Sequence, residues 1–88
     1  MLEDYVVIDL EMNAKTDAIL EVGAVRVRDG RQTETYGAIL KCGRELSERV
    51  VELTGITPEM AAGGREPEEA MREFFTFLGD DVLVGQNV

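Results

Sequence analysis

An apolar run, Tyr5-Val6-Val7-Ile8, passes directly into Asp9-Leu10-Glu11. β-Branched residues favour a strand, and an unbroken apolar run favours one with neighbours on both sides. Residues two apart on such a strand share a face and lie about 6.5–7 Å apart. Asp9 and Glu11 therefore project together from the end of a central strand. Two carboxylates held side by side on a rigid element repel each other unless a cation sits between them. Hard oxygen donors at this spacing suit Mg²⁺ or Mn²⁺. An isolated D-x-E is ordinarily a pair of solvated carboxylates at a strand end. The central character of the preceding run is what favours the metal reading here.

The pattern after Glu11 predicts how that strand is embedded. Residues 12–17 are polar and read as a turn, and residues 18–28, rich in β-branched side chains, read as a long second strand. Asp29-Gly30 is a hairpin signal, followed by a third antiparallel strand over 33–41. The periodicity then becomes helical. Ser47 is a fitting N-cap for a helix over 48–54, with Gly55 as its stop. Thr57 and Pro58 open a second short helix that ends at Gly63-Gly64. Glu66-Pro67 opens a longer one to Leu78, and the spacing of Ala70, Met71, Phe74, Phe75 and Leu78 places the aromatic pair in the core. Asp80-Asp81 reads as a turn, and Val82-Leu83-Val84 as the start of a fourth, fully buried strand. Strands, then helices, then a further apolar strand form the first half of an α/β domain, so the pattern predicts residues 1–88 to be the N-terminal part of one domain.

Bulk properties narrow the function. A chain of 88 residues is at most one domain, and at this size only roughly 60–65% of the unfolded surface is buried. The net charge of −9, from 18 acidic and 9 basic residues, gives no broad electrostatic grip on nucleic acid. Any action on a phosphodiester therefore requires bound metal to supply positive charge, and a short single-stranded end suits the chain better than a long duplex. The absence of His excludes His-based zinc sites and His general bases within these residues. The single Cys42 excludes an internal disulfide and, with no His to activate it, reads as a partly buried strand-end residue. The acidic N-terminus has no signal-peptide character, and no run reaches the ~20 apolar residues of a membrane span. The expectation is a cytoplasmic protein with no membrane partner.

Four segments together carry a family resemblance. Val6-Val7-Ile8-Asp9-Leu10-Glu11 resembles the first motif of the DEDD-type 3′–5′ exonucleases, the family of the DNA polymerase III epsilon subunit. Ile19-Leu20-Glu21-Val22-Gly23-Ala24-Val25 resembles its second strand, Glu52-Leu53-Thr54-Gly55-Ile56-Thr57 its L-T-G-I-T segment, and Val82-Leu83-Val84-Gly85-Gln86-Asn87 the strand leading into its second motif. Each is weak alone, and the four occur in order at matching spacing across the whole chain. The resemblance implies a ribonuclease H-like α/β fold with a mixed sheet, here truncated, whose fourth strand runs parallel to the first. It implies hydrolysis of terminal phosphodiesters to nucleoside monophosphates by two Mg²⁺ or Mn²⁺ ions. Asp9 and Glu11 match the first two metal-ligand positions. Met12, Asn13, Leu53, Thr54, Ile56 and Asn87 match positions around the terminal nucleotide. A nucleic acid 3′ end and a DNA polymerase are the implied partners.

The chain also departs from the family. Met12-Asn13-Ala14 stands where Thr-Thr-Gly is common, and Gln86 where His precedes Asn. The second-motif Asp would lie four residues after Asn87, and the third motif with its general base would follow later. With Asp9 and Glu11 as the only ligands, the 88 residues alone are expected to be inactive and to self-associate through uncovered sheet surface. Glu21, within a strand, is expected to pair with an arginine or a backbone donor, a third metal ligand being the competing role. The alternative function is a non-catalytic interaction module that retains the exonuclease fold. An unrelated small acidic α/β domain is a third reading, which a third strand not antiparallel to the second would favour.

Overall fold

A computed structural model describes residues 3–13, 18–42 and 46–86. The chain order is β1 (Tyr5–Asn13), β2 (Ala18–Arg28), β3 (Arg31–Ile39), α1 (Glu48–Thr54), α2 (Pro58–Ala62), α3 (Pro67–Leu78) and β4 (Leu83–Gln86). The strands form one sheet in the order β3-β2-β1-β4. β1 is antiparallel to β2 and parallel to β4, and β2 is antiparallel to β3. This is the mixed-sheet arrangement that the resemblance implies, with the fourth strand parallel to the first.

Local chemistry accounts for the breaks between elements. The β2–β3 turn needs two residues at positive φ, and Asp29 (51°) and Gly30 (74°) supply them, the combination a tight hairpin requires. The Ser47 hydroxyl accepts from the Val50 N–H at 3.3 Å, and the Thr57 hydroxyl accepts from the Met60 N–H at 3.2 Å, capping α1 and α2. α1 stops at Gly55, whose φ of 76° lets its N–H donate to Val51 O at 2.8 Å.

One face of the sheet packs on α3. Val6, Val22, Ala24 and Ala38 meet Ala70, Phe74 and Leu78, with Ile8 and Leu10 partly buried against them. Alternation along β1 then sends Val7, Asp9 and Glu11 to the opposite face. A second core lies where α1 and α2 fold over, built from Leu20, Val50, Ile56 and Ala61 with Ile39 at its edge. Gly64 allows the loop after α2 to lie directly on the chain beyond β3, where Leu40 forms a bridge with Arg65. A Cβ on Gly64 would come within 2.7 Å of the Leu40 carbonyl carbon.

An ionic clasp fixes the α3–β4 turn. Arg28 donates to both Asp81 carboxylate oxygens at 2.7 and 3.0 Å. Arg26 donates to Asp81 at 3.3 Å, to Glu34 at 2.7 Å and to the Phe77 carbonyl, its guanidinium 4.2 Å from the centre of the Phe77 ring. Burial works to raise the Asp81 carboxyl, but the two arginines outweigh it and hold it below the usual carboxylate value. Among the described residues no helix is long and apolar enough to cross a membrane.

Several expectations are corrected. β1 runs on to Asn13, into the turn expected over 12–17, because β2 continues to pair with it through a bulge between Glu11 and Met12. β3 begins at Arg31, two residues earlier than expected, since the hairpin needs only Asp29 and Gly30 as its turn. β4 is not fully buried: Val82, Leu83 and Val84 are 53%, 47% and 37% exposed. Among the described residues it is an edge strand whose one neighbour is β1, so its apolar character is only half used. Phe74 is buried as expected, but Phe75 is 62% exposed. Adjacent helical residues point about 100° apart, and only one of the two can face the sheet.

Candidate active site

The site grows from the middle of the sheet. Asp9 is flanked by Gly23 on β2 and by Gln86 on β4, so paired strands hold its backbone from both sides. Glu11, two residues on, sits opposite Glu21. Directly opposed residues of an antiparallel pair share a face with Cβ atoms about 4.5–5.5 Å apart. Asp9, Glu11 and Glu21 thus occupy the face away from α3. Immediately after Glu11 the bulge shifts the pairing by one residue, which brings Met12 opposite Ile19 and turns Leu20 into the second core.

The decisive atom is Asp9 Oδ1. It is buried and, among the described residues, has no hydrogen-bond partner. Buried carboxylate oxygens are ordinarily satisfied, because an unmet one costs about 1–3 kcal/mol. A divalent cation is the partner such an oxygen fits, with Glu11 supplying a second hard donor on the same face. Among the described residues no three carboxylate, His or Cys side chains converge as a metal-binding group. Glu21 accordingly stands beside the pair rather than joining it. The arginine or backbone donor expected for Glu21 is also absent among the described residues. Arg65, which shares a cavity with it, donates instead to Glu69 and Glu73.

The residues expected to surround a terminal nucleotide separate into distinct environments. Leu53 is 74% exposed and Met12 44% exposed, so both present apolar side chains to solvent. Thr54 is tied into its own turn: its hydroxyl donates to Val50 O at 2.8 Å and accepts from the Ile56 N–H at 3.1 Å. Ile56 lies in the second core at 2% exposure, and Asn13 is buried at 3%. Neither presents its side chain outward. Asn87 lies outside the described residues. Level with Asp9 the sheet carries two glycines: Gly23 pairs with it, and Gly37 of β3 pairs with Gly23.

The family model described as Exonuclease (RNase_T) matches residues 6–88. The chain belongs to this exonuclease family. It is 40% identical over 86 residues to a PolC-type DNA polymerase III of Thermotoga petrophila, covering 94% of this chain and 6% of that protein. It is 38% identical over 87 residues to the DNA polymerase III subunit epsilon of Aquifex aeolicus, covering 96% of this chain and 43% of the relative. The chain therefore spans less than half the length of these curated relatives. Among solved structures, Exonuclease X in complex with 5′ overhanging duplex DNA superposes with a TM-score of 0.78 at 23% identity, covering 94% of this chain and 48% of that one. That likeness carries the fold.

Proposed function

We propose that residues 1–88 are the N-terminal part of a divalent-metal-dependent 3′–5′ exonuclease domain that acts on a DNA 3′ end. The observation that carries this reading is the buried, unpartnered Asp9 Oδ1 beside Glu11, in a chain of the exonuclease family. Asp9 and Glu11 would hold Mg²⁺ or Mn²⁺, which when bound activates water and neutralises charge developing at the scissile phosphate. The carboxylates hold the ion, and the paired strands on both sides of Asp9 keep it in place. Leu53 and Met12, both exposed, supply apolar contact for a terminal nucleoside, and the backbone around Thr54 and Ile56 sets the position of Leu53. Asn13, buried at 3% exposure, would support that surface from behind rather than touch the nucleoside. The relatives support a polymerase as partner, with the activity serving primer 3′ ends in the cytoplasm.

Asp9 and Glu11 are too few ligands for an ion that takes about six oxygens. The 88-residue polypeptide by itself is accordingly inactive, and its exposed β4 residues favour self-association, which light scattering reads directly. The test of function uses the full-length protein containing this chain and a 3′-labelled oligonucleotide. Mononucleotide release that requires Mg²⁺ or Mn²⁺ and is lost in Asp9→Asn supports the reading. Nucleic acid binding without release, unchanged in Asp9→Asn, would instead support an interaction module.

A further inference from the structure

The second core stands on the face of the sheet that carries Asp9 and Glu11. Ile39 lies directly opposite Glu21 and shares its face, and it packs against that core. α1 is anchored there by Val50, buried in the core together with Leu20 of β2. Leu20 lies between Glu21, which pairs with Glu11, and Ile19, which pairs with Met12. α1 is thus placed at the Glu11 end of the strands. Two of its residues on one helical face, Arg49 and Leu53, are exposed. Four residues apart, they have Cβ atoms about 5–6 Å from each other.

With 18 acidic and 9 basic residues in the chain, a cation readily finds a carboxylate. Arg26 and Arg28 hold Asp81, Arg65 holds Glu69 and Glu73, and Lys41 and Arg72 stand beside Glu66 and Glu68. Among the described residues only Arg31 and Arg49 are left without such a partner. Arg31 closes the β2–β3 hairpin opposite Arg28, about 17 Å along β2 from Gly23, the partner of Asp9. Arg49 is therefore the described cation left for the carboxylate end of the sheet. It does not serve its own helix, because it is the second residue of α1 and a first turn favours acidic side chains. A guanidinium so placed binds an oxyanion through two parallel N–H donors. We propose that Arg49 holds a phosphodiester of the substrate strand, on the 5′ side of the scissile one, and so draws the 3′ end onto Leu53. This rests on the exonuclease reading above. There the scissile phosphate belongs to the ion at Asp9, so the group left for Arg49 is a phosphate farther along the strand. In a chain of net charge −9, which has no broad grip on nucleic acid, one unopposed arginine beside the nucleoside surface has a large share of the electrostatic work.

The experiment uses the full-length protein and two substrates, a single-stranded oligonucleotide and a dinucleoside monophosphate whose one phosphodiester is the scissile bond. Arg49→Ala should raise KM for the oligonucleotide roughly five-fold at low salt, the size of one well-formed exposed ion pair, with kcat unchanged. On the dinucleoside monophosphate, which has no phosphate for Arg49 to hold, it should change neither. Oligonucleotide binding, read by fluorescence anisotropy across a salt series, should lose about 0.7 from the slope of log affinity against log salt. Arg49→Lys, which keeps the charge, should restore that slope. Arg31→Ala should match the wild type in every readout. An equal rise in KM on the dinucleoside monophosphate, a fall in kcat at unchanged KM, or an equal effect of Arg31→Ala would overturn the proposal. So would a salt slope unaltered by Arg49→Ala, the result expected if Arg49 meets an acidic protein surface instead. If the wild type cleaves neither substrate, the exonuclease reading itself fails. The anisotropy series then decides the role of Arg49 independently, a lost slope supporting the phosphate contact and an unaltered one refuting it.

Discussion

Asp9→Asn should make the protein more stable in a chelator and less stable in metal. In EDTA the wild type carries a buried carboxylate oxygen without a partner, a cost of about 1–3 kcal/mol. The Glu11 carboxylate lies about 7 Å away along the strand, adding a repulsion between about 0.6 kcal/mol in water and about 2.4 kcal/mol at an effective dielectric constant of 20. The amide removes the repulsion and softens the desolvation, but leaves a polar atom in the same place. A net gain of about 1 kcal/mol is therefore expected. For a domain of this size that is a melting temperature higher by roughly 4–8 °C. Mn²⁺ at ten times its dissociation constant should then stabilise the wild type by about 1.4 kcal/mol, because only the native state holds the ion. The variant should gain little, so the order of stabilities reverses. Thermal melts followed by circular dichroism, with EDTA and across a Mn²⁺ titration, read both effects. An Asp9→Asn variant that is less stable in EDTA, or that gains as much from Mn²⁺ as the wild type, would refute the assignment of this oxygen to a cation.

Further predictions concern the scaffold. Phe74→Ala should cost about 3–5 kcal/mol in urea unfolding, whereas Phe75→Ala should fall within about 0.5 kcal/mol of wild type; equal costs would contradict the packing of α3. Gly64→Ala drives a Cβ against three backbone atoms between 2.7 and 2.8 Å away, and should cost about 1–3 kcal/mol or more with loss of the Leu40–Arg65 bridge, detected as faster amide exchange there. The carboxyls of Asp81 and Glu73 are both held below their ordinary values of 3.8 and 4.5 in the folded protein, Asp81 by Arg26 and Arg28 against the opposing effect of burial, Glu73 chiefly by Arg65. Their contribution is complete above those ordinary values and is lost as pH falls through the depressed folded ones. Urea midpoints should thus decline below about pH 4, and Asp81→Asn should flatten that decline.

Most of the fold could be read from residues because its boundaries are set by short-range chemistry. Ser47, Gly55, Thr57 and Pro58 each act within one helical turn, and the Asp29-Gly30 turn depends on two backbone angles. What the residues could not disclose depended on neighbours distant in the chain. Val82-Leu83-Val84 is apolar enough for a central strand, but its burial is decided by how many strands flank it. The opposition of Glu21 to Glu11 depends on the register between β1 and β2, which no single stretch encodes. The candidate site was legible at Asp9 and Glu11, where two carboxylates interrupt an apolar strand. It was not legible at Ile56, whose apolar side chain fits a core and a nucleotide equally well until α1 and α2 are folded over Leu20.

The bulge after Glu11 has a consequence for the fidelity of folding. β1 alternates apolar residues toward α3 with carboxylates toward the open face, so a slip of one residue would exchange the two sets. Asp9 and Glu11 would then be driven into the layer of Phe74 and Leu78, while Ile8 and Leu10 would face water. Two unpaired charges in that layer cost more than a small domain can supply. The same residues that would carry the chemistry thus act as a checksum on strand alignment: a chain that misaligns its first strand fails to fold, rather than folding into an inert copy.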